Sequence, residues 1–146
     1  MRAKAIGTYG YDLAVLDLVE AAALYRLGDK RQADREAARV EESEDKVAAA
    51  RASFLRGLIA DETGNEAGLK MAMARLAQPA SSEQRADADE LAARWDLRQG
   101  AFTQAEAEAE RSADLRRTTM DYHGLARALA VGAAAAARAG DKQNSG

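Results

Sequence analysis

Few side chains in this 146-residue chain are equipped for chemistry. The single histidine, His123, stands beside Asp121 and Tyr122. A lone imidazole acts as a general base only with a nucleophile or second acid in reach, so His123 reads as a surface or boundary residue in a first helical turn. There is no cysteine, which removes disulfides, thiolate metal sites and thiol nucleophiles. A zinc site would need carboxylates around the one histidine, and no spacing supplies them. The acidic groups Asp61-Glu62 and Asp87-Asp89-Glu90 lie among arginines in helical segments. They read as solvated faces or ion pairs, not as the two carboxyls of a glycosidase. The glycines serve as helix stops and build no phosphate-binding loop. No catalytic residue, metal or cofactor is expected, and the chain is not expected to be an enzyme.

Arg111, Arg116 and Arg117 end a short helical segment, where cations complement the helix dipole. Nucleic acid is not an expected partner: the net charge is −3, the pI is near 5.3, and no aromatic residues interleave with these arginines. The most apolar run, Ala128 to Ala137, is too short to span a membrane. Met1 to Gly10 lacks the apolar stretch of a signal peptide. A soluble chain is expected, cytoplasmic or periplasmic, since a leader removed beforehand would leave no trace. The alanine and arginine bias with few lysines suits a GC-rich bacterium.

The elements that must position these side chains are helices. Alanine, the best helix former, dominates, and aromatics make up 5%. Turns centred on Gly28, Gly64, Gly100 and Gly140 recur at intervals of 36, 36 and 40 residues. Glycine after a helix adopts the left-handed cap without a Cβ clash. The turns predict long helices over 11–27, 46–62, 83–99 and 121–139, alternating with short ones over 31–42, 66–78 and 103–117. Asp29 with Gln32, Thr103 with Glu106 and Ser81 with Gln84 have N-capping spacing. Ser43 and Asp121 mark two further starts, and Pro79 helps end the segment before it. Helix–turn–helix units at a period near 36 predict a stack of antiparallel pairs of about seven helices.

Anchored on the turn glycines, the place seven residues earlier holds Ala21, Gly57, Ala93 and Ala133, all small. Five residues after come Ala33, Leu69 and Ala105, and nine after come Ala37, Met73 and Ala109. In these places the sequence resembles the tetratricopeptide repeat family, over almost the whole chain after residue 10. It departs from the family at Asp17 and Glu20, where large apolar residues are preferred, and in a period that exceeds the usual one by about two residues. The resemblance implies an all-α, right-handed superhelical stack of helix hairpins, an α-solenoid, in a single domain over 11–146 after a lead-in at 1–10. Its repeats would be 11–43, 44–80, 81–118 and a half repeat at 119–146.

The resemblance also implies a concave surface, lined by the first helix of each pair, that binds a peptide or partner protein. The inward places carried over are Tyr25, Phe54, Leu58 and Asp61 toward one end, and Glu90, Arg94, Arg98, Arg127 and Arg138 toward the other. The family's clamp for chaperone tails needs Lys, Asn and Arg where this chain has Leu18, Ala22, Leu55, Asp87 and Leu91, so that partner is not implied. A protein-interaction module or scaffold is the expected function. The alternatives are a regulatory or sensor repeat region of a larger protein and a structural subunit of an envelope or secretion assembly. The turn at Gly140 has no second helix after it, which leaves Leu129, Gly132, Ala133 and Ala136 as an expected self-association face. It also fits a chain cut from a longer repeat protein.

Overall fold

The computed structural model describes the backbone of residues 7–145 and the side-chain surroundings of residues 13–144. The described residues form seven α-helices and no strand: α1 (Gly7–Arg26), α2 (Lys30–Glu41), α3 (Lys46–Glu62), α4 (Glu66–Arg75), α5 (Ser82–Gln99), α6 (Phe102–Thr118) and α7 (Tyr122–Ser145). Of the lead-in expected at 1–10, residues 1–6 lie outside the described set, and α1 begins at Gly7. None of the helices is long and apolar enough to cross a membrane.

The chain divides into two compact units, the first ending at Arg75 and the second beginning at Leu76. In the first, α2 packs against α1 and α3, and α3 also packs against α1 and α4. Its core is built largely from alanine: Ala21, Ala33, Ala37 and Ala52 are fully buried beside Val40, Leu55 and Ile59. Such small side chains let helix axes approach closely. In the second unit α6 packs against α5 and α7, and Ala93, Ala109 and Val131 meet with Leu97 against them. The boundary follows from Pro79, which biases the residue before it away from helix. Accordingly α4 stops at Arg75, three residues short of the expected end.

The expected glycine stops occur at Gly28, Gly64 and Gly100, all with positive φ. Each closes its helix by the same pair of backbone bonds. At the first, Asp29 N–H donates to Leu24 C=O (2.9 Å) and Gly28 N–H to Tyr25 C=O (3.0 Å). The fourth stop differs from expectation. No turn forms at Gly140, because α7 runs through it to Ser145. A single helical glycine costs about 1 kcal/mol, and the polar residues after it offer no apolar face to fold back.

The same cap instead ends α6 at Met120, the one described non-glycine residue with positive φ (57°). There Asp121 N–H donates to Arg116 C=O and Met120 N–H to Arg117 C=O. Among the expected N-caps, Asp29 accepts from Gln32 N–H and Ser81 Oγ from Gln84 N–H. Asp121 Oδ1 accepts from Gly124 N–H. Thr103 does not cap: α6 starts at Phe102 behind Ala101, with no side-chain cap bond. Ser43 accepts from Asp45 N–H, and Asp45 itself caps α3.

Candidate functional site

Two arginines organise the polar chemistry, one in each unit. In the first unit Arg56 on α3 reaches across to α2. Its Nε donates to Asp34 Oδ1 at 2.9 Å and its Nη1 to Glu41 Oε1 at 2.6 Å. The bond to Asp34 holds the guanidinium's pKa above its ordinary value against the cost of burial, and Glu41 adds to it. Glu41 also accepts from Ser53 Oγ at 2.6 Å, and Arg75 of α4 stands 3.7 Å from it.

This cluster lies in a cleft of about 510 Å³ between α2 and α4, with α3 as its floor. The cleft is lined by five cations (Lys30, Arg31, Arg35, Arg56 and Arg75) against two carboxylates, Asp34 and Glu41, a surplus of three positive charges. The chain as a whole carries −3. Ile59, Ala60 and Ala72 give the cleft an apolar floor, and Met71, 57% exposed, stands on its rim.

In the second unit Arg116 of α6 is fully buried. Its Nη1 lies 2.6 Å from Asp87 Oδ1 and its Nη2 3.0 Å from Glu90 Oε1, both on α5 and both fully buried. Asp121 Oδ2 approaches Nη1 at 3.3 Å. Burial works against the charge of Arg116, yet Asp87 and Glu90 outweigh it and raise its pKa. Glu90 Oε2 also takes Arg94 Nε at 3.2 Å and Arg127 Nε at 3.1 Å. Gly124 makes room for this arrangement: a Cβ there would meet Asp121 Oδ2 at 2.4 Å and Arg116 Nε at 2.6 Å. A separate carboxyl, Glu108 on α6, is buried with Oε1 lacking a hydrogen-bond partner. Burial, then hydrogen bonding to Asp96 and its charge, push its pKa up to about 8.

The residues expected to line a groove fall into several environments. Phe54 and Leu58 are 3% and 2% exposed and offer a partner no surface. They sit on α3, which α1, α2 and α4 flank, so the helix is apolar around most of its circumference. The Arg51 guanidinium lies 5.5 Å over the Phe54 ring. Tyr25 is half-buried and its hydroxyl donates to the Glu62 carboxylate, 2.8 Å from Oε2. Asp61 is also half-buried.

Glu90, Arg94 and Arg127 are brought together, but as an internal network around a carboxylate with no exposure. Arg98 and Arg138 stand exposed on α5 and α7. Of the expected self-association face, Leu129, Ala133 and Ala136 are exposed and Gly132 half-buried. All four line a recess of about 310 Å³ between α6 and α7.

His123 is exposed. Among the described residues no group of three or more His, Cys, Asp or Glu is arranged to hold a metal ion. The α2–α4 cleft and the burial of Arg116 are the two features that sequence reasoning missed. The cleft had one legible signal, Lys30-Arg31 in the first turn of a helix, where acids are favoured. No protein-family model, curated protein or solved structure matches the chain.

Proposed function

We propose that this chain is a recruiting module, built from tetratricopeptide-like helical hairpins, that binds a segment of another protein and catalyses no reaction. The hairpin reading is supported by repeated left-handed stops at Gly28, Gly64 and Gly100, each followed by a helix that packs back on the one before. The observation that carries the functional reading is the α2–α4 cleft, an open recess whose cationic surplus is not matched within it. In the second unit, by contrast, Arg116 is matched by carboxylates on two sides. A surface recess with unmatched charge is a place for a ligand; a neutralised buried network is a place for none.

Selection of a random peptide library on the full chain tests this. Enrichment of a common sequence class, lost when the cleft is altered at Met71→Glu, supports recruitment. No enrichment over many rounds, on chain shown to be helical, overturns it.

A second reading, pairing of two copies through α7, is favoured by Leu129, 48% exposed above the small residues of the α6–α7 recess. Sedimentation across a concentration series decides it: a monomer throughout removes it, while association that Leu129→Glu abolishes supports it.

A further inference from the structure

Resting on the recruitment reading, we infer that the α2–α4 cleft takes an acidic peptide segment with an aliphatic residue among its carboxylates. The argument begins with the placement of three cations. Lys30 and Arg31 occupy the first turn of α2, and Arg35 lies one turn further along. The N-terminal end of a helix carries positive partial charge and disfavours cations. Apart from the N-cap Asp29, the first turn contains no acid to offset them. Among the described residues no carboxylate forms an ion pair with any of the three. Helix stability therefore gives no reason for their position, whereas bound carboxylates would be held by the cations and the helix end together.

The cleft's own acids cannot serve that purpose. Asp34 and Glu41 are both drawn onto Arg56, and Glu41 also holds Ser53. The surplus positive charge faces solvent in a recess whose walls focus its field.

The rest of the lining selects among anions. About 510 Å³ is more than one phosphate or carboxylate fills and lies within the ordinary range for a ligand cleft. Met71, exposed on the rim, offers an apolar side chain contact over the nearly covered floor of Ile59, Ala60 and Ala72 and adapts to its shape. No aromatic residue lines the cleft to stack a base, and the net charge of −3 opposes a polyanion as a whole. Alternating acidic and aliphatic side chains match this pattern; a nucleic acid does not.

Fluorescence polarisation with the full chain tests the inference. The probe is a labelled, end-capped peptide of sequence Glu-Glu-Leu-Glu-Glu-Leu, and its counterpart has glutamine at every glutamate. The acidic probe is expected to bind, more weakly as salt rises, and the glutamine probe at least about tenfold more weakly. The exposed pair Arg31→Glu/Arg35→Glu should weaken the acidic probe by about tenfold or more with helicity unchanged. The milder Arg31→Gln/Arg35→Gln pair serves if the reversal disturbs folding. The control Lys46→Glu/Lys142→Glu, which changes net charge equally outside the cleft, should leave binding within about twofold.

Equal binding of the two probes overturns the inference, as does an equal loss in the control. So does displacement of the peptide by inorganic phosphate at similar concentration, or tighter binding of a single-stranded oligonucleotide at the same residues. If the random library enriches peptides without acids at the cleft, this inference falls and the recruitment reading stands.

Discussion

The two units use the same device, an arginine bridging carboxylates on a neighbouring helix, in opposite surroundings. Arg56 spans Asp34 and Glu41 at the wall of an open cleft, with about a third of its side chain in water. Arg116 spans Asp87 and Glu90 with no exposure at any of the three. The pair of Arg56 with Asp34 is in contact with water on both sides and is worth little, because solvent competes for both partners, while Glu41 is nearly buried. A buried pair is different: it adds little over an apolar replacement, but its removal strands charge in a low dielectric. The first unit therefore has polar groups to spare for an outside ligand, while the second has committed its own to holding α5, α6 and α7 together. The turns differ in parallel. Both left-handed stops in the first unit are glycine, whereas the second has Gly100 and Met120.

Removing the buried arginine should have the largest effect. Arg116→Met takes from Asp87 and Glu90 the buried guanidinium they share, while Arg94 and Arg127 stay on Glu90, and should cost about 3–5 kcal/mol in denaturant unfolding. Adding Asp87→Asn and Glu90→Gln should recover much of it; a loss in Arg116→Met as small as that of a surface pair would erase the contrast between the units. Next comes Gly124→Ala. Alanine is favoured over glycine in helices by about 1 kcal/mol, yet the added methyl would press on Arg116 and Asp121. A net loss of about 1–3 kcal/mol is expected, and a gain would show that the network yields easily.

In the first unit, Arg56→Met should cost about 1–2 kcal/mol, less than Arg116→Met, because Ser53 and Arg75 remain beside the nearly buried Glu41 carboxylate. Met120→Gly should stabilise by a fraction of the roughly 1–2 kcal/mol that a left-handed conformation costs an L-residue, since glycine loses more freedom on folding. A slope with pH is a separate test in the second unit. Unfolded, Glu108 gives up its proton near 4.5; folded, near 8. Between those values the native state holds the extra proton, so stability falls as pH rises through the window and levels above it. Melting of Glu108→Gln from pH 5 to 9 should lack that fall.

The all-helical fold was legible because three signals coincide: alanine content, helical periodicity and glycine at near-constant intervals. Gly140 shows the limit of the third. Glycine ends a helix when an apolar segment beyond it folds back, and Asp141 to Ser145 is polar throughout. Thr103 and Glu106 likewise have the spacing of a cap without its geometry, since α6 has already begun one residue earlier. Met120 carries no sequence signal at all; its conformation is imposed by the caps on either side.

The cluster at Arg116 was visible in its parts. In sequence Arg116 has the place of a helix-end cation and Asp87 with Glu90 that of a solvated face or ion pair, because their pairing spans 29 and 26 residues and packing alone decides its burial. Asp87 and Glu90 do flank Leu91 and Ala86 on the inward stripe of α5, which is the trace such a network leaves. A repeat pattern marks Phe54 and Leu58 as groove residues because it shows which helices face inward, not which of them a neighbour covers.

Glycine and alanine codons differ by one base, and this chain is rich in alanine throughout. At a glycine inside a helix, propensity favours the change to alanine. At Gly124 that change meets the Arg116 and Asp121 side chains, which would have to shift to admit a methyl. In lineages that keep this arginine, glycine should persist at that position while the helical surface around it turns over freely.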